Sequence, residues 1–192
     1  MNLHPDWLVE PDDIAVYPRP IGRGSFGVIY RGVLPGTVDV AVKQLLDVQQ
    51  MSAEHFNAFE SEAALMTLIS PHPNIVRVLA CCSVPLSLVT VFVDSGNLRA
   101  NLDDPAVEFT PYLKVAIMKD ITAGLAHLHA CNIIHRDLAA RNVLLHTNHD
   151  ESTNDLLMPY VCKLSDFGMS RTGGEESQYT QQNIGPNQVD GH

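Results

Sequence analysis

The stretch HRDLAARN, residues 135–142, decides how this 192-residue chain is read, and its neighbours on both sides are strongly patterned. Just upstream, Thr110 stands where it can N-cap a helix, and Pro111 takes the first helical position. Leu113, Ile117, Ile121, Leu125 and Leu128 then form one apolar stripe, so the spacing predicts a long helix ending near His129. Downstream, the short apolar runs NVLL (142–145) and YVCKL (160–164) flank a polar segment, 146–159, that reads as an inserted hairpin loop. SDFGMSR (165–171) follows, and the Gly, Ser, Gln and Glu content from Asp166 onward predicts a mobile segment.

Further from that centre the pattern changes. Residues 1–18, rich in proline and acid, read as a lead-in with Trp7 and Ile14 as anchors, and globular structure is expected from near Arg19. Between 19 and 93, the β-branched runs IGRGSFGVIYRG, TVDVAVKQL, IVRVLACC and LSLVTVFV predict an antiparallel sheet interrupted by one helix, about 52–69. On that helix Phe56, Phe59, Ala63, Met66 and Ile69 share a face, and Glu62 falls inside the apolar arc while Glu60 lies on its flank. A buried carboxylate is costly without a cation, so Glu62 implies a specific partner. Lys43, in VAVK, supplies one: Ala41 and Lys43 point to the same side of their strand. Gly22, Gly24 and Gly27, with Val28, give a backbone able to approach phosphates closely. A strand-like run follows this loop, which disfavours a dinucleotide-binding motif.

Composition bounds the function. Twelve Lys and Arg against 22 Asp and Glu leave a net charge of −10, which disfavours nucleic acid and anionic membrane surfaces as partners. No apolar run is long enough to span a bilayer, and the acidic N-terminus is unlike a signal peptide, so a soluble cytoplasmic protein is expected. The four cysteines, Cys81, Cys82, Cys131 and Cys162, have no disulfide or zinc spacing and read as reduced, buried side chains. His127, His129 and Cys131 stand two apart on a helix and so point to different faces, and no structural metal is expected.

Glycine loop, VAVK, helical Glu, HRD with Asn five residues past the Asp, and DFG occur in that order. Together they resemble the eukaryotic protein kinases, over roughly residues 19–186. The resemblance implies an α+β, two-lobed protein kinase fold: an N-lobe and hinge (19–93) of antiparallel sheet plus one helix, then a helical C-lobe (94–192) that is only partly present. It implies ATP and Mg2+ as cofactors. Lys43 would hold the α and β phosphates and Glu62 would hold Lys43. Asp137 would orient the attacking hydroxyl and accept its proton, and Asn142 and Asp166 would bind magnesium. The nucleotide pocket would comprise Ile21, Gly22, Gly24, Gly27, Val28, Ala41, Lys43, Thr90, Val91, Val93 and Leu144. Adenine would lie between Val28 and Ala41 above and Leu144 below, bonded to the backbone of Val91 and Val93, with Thr90 as the gatekeeper behind it.

HRDLAARN is the tyrosine-kinase form of the loop: Ala139 stands where serine/threonine kinases usually place Lys, and Arg141 supplies the cation. A protein substrate presenting tyrosine is therefore the expected partner. Tyr179 occupies an autophosphorylation position, and its phosphate could pair with Arg136 and Arg171. The resemblance also implies that the chain stops after the activation segment, where Trp-Met-Ala-Pro-Glu and several helices would follow. Codons for residues 187–192 read one nucleotide later permit Ile-Arg-Trp-Met-Ala, so a frameshift is expected, with a retained intron as its rival. The 113–128 stripe would then lose cover, leaving marginal stability and a sticky patch. Two other readings stay open: a catalytically impaired chain acting as an ATP-binding or interaction module, and a tyrosine-kinase-like Ser/Thr kinase.

Overall fold

Alternating β-branched residues in the N-terminal half pair into a five-stranded antiparallel sheet in the computed structural model of the chain. The described residues are 7–24, 27–34, 36, 38–45, 53–148 and 159–172. The strands are β1 (Ala15–Gly24), β2 (Gly27–Leu34), β3 (Val38–Leu45), β4 (Val78–Ser83) and β5 (Leu86–Val91), in the order β1-β2-β3-β5-β4. Register fixes which side chains share a face, because directly opposed residues point the same way. Lys43 opposes Leu88, which opposes Cys81, and Ala41 opposes Thr90, which opposes Val78. The alternate set, Val40, Val42, Ala80, Cys82 and Val89, forms a small core on the other face with Ile14.

Helix α1 (Ala53–Leu68) covers the face that carries Lys43. Its Phe59, Ala63, Leu65 and Met66 are buried against Leu45, Val78, Cys81 and Leu88, with Phe56 and Ile69 half-buried at the edge. The helix and the buried Glu62 match the expectation from periodicity. Ordered packing begins upstream of Arg19, however. β1 starts at Ala15, Ile14 is buried, Trp7 packs on the main core, and the Val9 N–H donates to Cys81 O at 3.0 Å. The reason is that β4 is an edge strand, whose open backbone groups accept an extended segment.

The second portion contains α2 (Leu98–Asp103) and α3 (Pro111–Ala130). It also holds the strand β6 (Ile133–Ile134), the hairpin β7 (Val143–Thr147) with β8 (Tyr160–Leu164), and β9 (Arg171–Thr172), which pairs with β6. Thr110 caps α3, its hydroxyl accepting the Leu113 N–H at 3.2 Å. Leu113, Ile117 and Leu128 are buried, and Ile121 and Leu125 are half-buried. The stripe therefore keeps its cover, supplied by β8 and by the loop of residues 70–76. The apolar groups left exposed, Tyr112, Val115 and Met118, lie on the adjoining face instead. Gly124 permits the close contact: a Cβ there would fall 2.8 Å from Asn74 O and 2.9 Å from a Leu164 methyl.

Order also extends past Asp166, contrary to the expectation of mobility. Phe167 and Ser170 are buried and β9 pairs with β6, because the apolar Phe167 ring gives the segment an anchor in the core. Tyr179 lies outside the described residues. Three of the cysteines, Cys81, Cys82 and Cys162, are buried, and burial pushes the Cys81 thiol up to about 11 and the Cys162 thiol up to about 12. Among the described residues, no helix is long and apolar enough to cross a membrane. A sheet-plus-helix lobe followed by a portion built on α2, α3 and short strands is the α+β, two-lobed arrangement that the resemblance implies.

Candidate phosphoryl-transfer site

The Lys43 ammonium donates to both Glu62 carboxylate oxygens, at 3.0 and 2.8 Å. Strand β3 supplies the cation and α1 the carboxylate. The pair is largely withdrawn from water, with side-chain exposures of 18% and 5%, so each charge depends on the other. The partner that periodicity demanded for Glu62 is the lysine that strand alternation aimed at it.

Above this pair, Gly24 and Gly27 close the β1–β2 hairpin. A Cβ on Gly27 would overlap the Gln44 carbonyl oxygen, so only glycine fits. Ser25 and Phe26, between them, lie outside the described residues. The register corrects one expected pocket residue. Val28 opposes Gln44, on the face away from Lys43, whereas Ile29 opposes Lys43 and reaches toward Gly22. The signal was in the sequence: the kinase loop places its apolar residue two positions past the third glycine, and that is Ile29.

Thr90 lies across from Ala41 on the Lys43 face, at the end of β5. Leu144 alternates with the buried Val143 and Leu145 and so points away from the core, bridged through its backbone to Asn97. The Val91 N–H donates to Arg77 O and the Phe92 N–H to Asp39 O, both at 3.0 Å. The Val91 N–H is therefore bonded within the protein. Ile21 is exposed on β1 near the loop. Beyond the hinge, Asp94 ties this segment to β7. Burial alone would raise its carboxyl, but the Thr147 N–H (2.8 Å), the Ser95 hydroxyl (3.1 Å) and His146 (3.2 Å) hold it down at about 2.

The HRD loop is built on a buried imidazole. His135 reaches Ser165 O through Nε2 at 3.1 Å, packs against the Phe167 ring at 5.2 Å, and accepts the Ser170 hydroxyl through its carbonyl at 3.0 Å. One side chain thus fixes the loop against SDFGMSR. Asp137 Oδ1 accepts from Arg141 at 2.6 Å, and Asp137 Oδ2 accepts from Asn142 at 2.9 Å. The Arg141 bond first, then the Asn142 bond, holds the Asp137 carboxyl below its ordinary range. Asn142 is buried, and its carbonyl accepts both the N–H (2.9 Å) and the hydroxyl (3.0 Å) of Ser165.

Asp166 follows directly, in the left-handed region at φ 63, with its side chain exposed. A Cβ on Gly168 would fall 3.5 Å from an Asp166 oxygen and 3.7 Å from a Glu62 oxygen, so carboxylates from the two lobes converge around this glycine. Arg136 is exposed and also left-handed, at φ 63. The structure thus gathers Lys43, Glu62 and Asp166 about one cleft, joined through Ser165 and His135 to Asp137, Arg141 and Asn142. His135 and Phe167 stand in the HRD and DFG motifs, but the part that they and Ser165 play in holding these groups in place was not read from the sequence.

A glycine hairpin over a Lys–Glu pair, facing a loop aspartate and a second acidic loop, defines a phosphoryl-transfer class of protein. The sequence profile of the family described as protein tyrosine and serine/threonine kinase matches residues 16–190, and the chain belongs to that family. It is 38% identical over 157 residues to ephrin type-B receptor 1 of Gallus gallus, covering 79% of this chain and 14% of the relative. It is 37% identical over 164 residues to the probable serine/threonine-protein kinase SIS8 of Arabidopsis thaliana, covering 83% and 14%. It is 32% identical over 167 residues to the tyrosine-protein kinase SRK2 of Spongilla lacustris, covering 86% and 41%. The chain therefore spans less than half the length of these relatives, which include both tyrosine and serine/threonine kinases. Protein kinase domains in general use ATP and a divalent metal.

Proposed function

We propose that this chain is an ATP-dependent protein kinase domain that transfers the γ-phosphoryl of ATP to protein tyrosine hydroxyls. The observation that carries the reading is the Asp137–Arg141–Asn142 cluster. Arg141 bonds Asp137 at 2.6 Å while the position used for Lys in serine/threonine kinases is Ala139. A cation that reaches back to the aspartate from four residues on, with Ala139 between, is the arrangement that the tyrosine-kinase form of the loop implies.

When bound, ATP with Mg2+ supplies the phosphoryl group and the charge that offsets its developing negative charge. Lys43, fixed by Glu62, orients the α and β phosphates. Asn142 gives its amide NH2 to Asp137 and so offers Oδ1, and Asp166 offers carboxylate oxygens: hard donors of the kind Mg2+ takes. Ile29 and Ala41 on one side and Leu144 on the other would hold the adenine, with backbone groups of Val91 and Val93 as its hydrogen-bond partners. Asp137 is ionised at neutral pH, and its lowered pKa makes it a weak base. It therefore orients the substrate hydroxyl and receives the proton on a carboxylate oxygen late in the transfer. Arg136 and Arg171 are both exposed and would be available to a phosphate on Tyr179.

Serine or threonine as acceptor is the second reading, favoured by the likeness to the Arabidopsis relative. Purified chain with γ-labelled ATP and Mg2+ is offered a Glu/Tyr polymer and a Ser/Thr-rich protein, beside Asp137→Asn. Label on tyrosine that falls at least about a hundredfold in Asp137→Asn is expected. Label on serine or threonine alone overturns the tyrosine assignment. No label from folded chain overturns catalysis and leaves a nucleotide-binding module.

A further inference from the structure

Outside the cleft, the loop of residues 70–76 joins α1 to β4 and is stitched to the second lobe. The Leu164 N–H donates to Asn74 O and the Val76 N–H to Leu164 O, both at 2.9 Å, and Asn74 Nδ2 donates to Cys162 O at 3.0 Å. Every one of these bonds lands on β8, the strand that runs directly into Ser165 and Asp166. The loop's shape in turn depends on a histidine: the Asn74 N–H donates to His72 Nδ1 at 3.1 Å. That bond exists only while Nδ1 carries a lone pair. A proton there would set two N–H groups against each other.

The surroundings oppose that proton as well. His72 stacks on His127 of α3, with ring centroids 4.6 Å apart, and His127 Nε2 lies 2.9 Å from Ser70 O and 3.1 Å from Ser70 Oγ. From β8, Lys163 faces the pair, with its ammonium 2.6 Å from Pro73 O. From α3, Asp120 faces it as the one opposing charge among the described residues, already bonded at 2.9 Å to the Cys162 N–H, and Cys131 Sγ lies 3.8 Å from His127 Nε2. Burial, then His127, then Lys163 lower the His72 pKa, and Asp120 only partly opposes them.

We propose that the His72–His127 stack is a pH-sensitive latch between the lobes, closed while His72 is neutral and released when His72 Nδ1 is protonated. A histidine held below its ordinary 6.5 in the folded state stabilises that state above pH 6.5 and loses the contribution as pH falls below it. Release acts first on the 74–76 and 162–164 contacts, and through β8 on the placement of Asp166.

Amide hydrogen exchange of the whole chain, expressed as protection factors at about pH 7.5 and about pH 5.5, tests the latch. Protection of Val76 and Leu164 is expected to fall at least about threefold at the lower pH, while Val89 in the sheet centre keeps its protection. His72→Asn is the decisive variant, because an Asn side-chain oxygen can accept the N–H two residues on without titrating. Its Val76 and Leu164 protection is expected to be the same at both pH values. His127→Phe keeps a stacked ring and removes the second charge, and is expected to show a smaller loss than the parent chain. An equal loss in His72→Asn, no loss in the parent chain, or an equal loss at Val89 would each overturn the proposal.

Discussion

Lys43 and Glu62 satisfy each other almost out of contact with water, and this gives the pair a stability signature separate from catalysis. Lys43→Met strands the Glu62 carboxylate and is expected to destabilise the chain by about 3 kcal/mol, whereas the double variant Lys43→Met with Glu62→Met recovers most of that loss. Urea unfolding of the four proteins in the cycle checks this, and an uncorrected loss in the double variant would contradict it. Ile29 and Val28 should also separate. Ile29→Ala is expected to weaken nucleotide binding about tenfold with little change in stability. Val28→Ala, which truncates a side chain only 2% exposed, is expected to cost about 1 kcal/mol of stability with affinity unchanged. Equal effects of the two on affinity would refute the register argument. Sequence placed Lys43 and Glu62 because each obeys a strict period, two on the strand and about 3.6 on the helix. Ile29 rather than Val28 shares the Lys43 face because it stands two positions past the third glycine, a count that the sequence carries.

At the scale of elements, α1 and α3 were legible, the first from its apolar face around Glu62 and the second from Thr110, Pro111 and the leucine stripe. What sequence could not show is what covers each face. The stripe of α3 meets β8 and the 70–76 loop, and such a meeting depends on tertiary contacts between residues as distant as Asn74 and Cys162. Gly124 is the sign of that meeting. On an isolated helix, Gly124→Ala would gain about 1 kcal/mol from propensity. Here the added methyl confronts the Asn74 carbonyl, part of a backbone fixed by its own bond to Leu164, so a net destabilisation of about 1 to 3 kcal/mol is expected. A rise in the thermal midpoint of Gly124→Ala would show that the helix and loop can move apart freely.

Among the described residues, the 70–76 loop bonds the first lobe to β8 of the second, and just past the first lobe Asp94 and Ser95 bond β7, so both strands of this hairpin help to set how the lobes meet. The cleft lies between them, and its groups come from β3, α1, the HRD loop and the segment after β8. Motif order in the sequence disclosed those groups because each is short, local and chemically distinctive. The motifs contain His135 and Phe167, but the supporting contacts that these make with Ser165 and Ser170 were not disclosed, since which backbone groups a buried histidine meets depends on tertiary packing. The proposed function places Lys43 and Asp166 in one site for ATP with magnesium. Titration of the folded chain with ATP, with and without Mg2+, beside Lys43→Met and Asp166→Asn, tests it directly. Magnesium-dependent binding that weakens at least about tenfold in either variant is the expected result. Folded chain that binds no ATP, or binds it equally well in all three forms, would contradict the account.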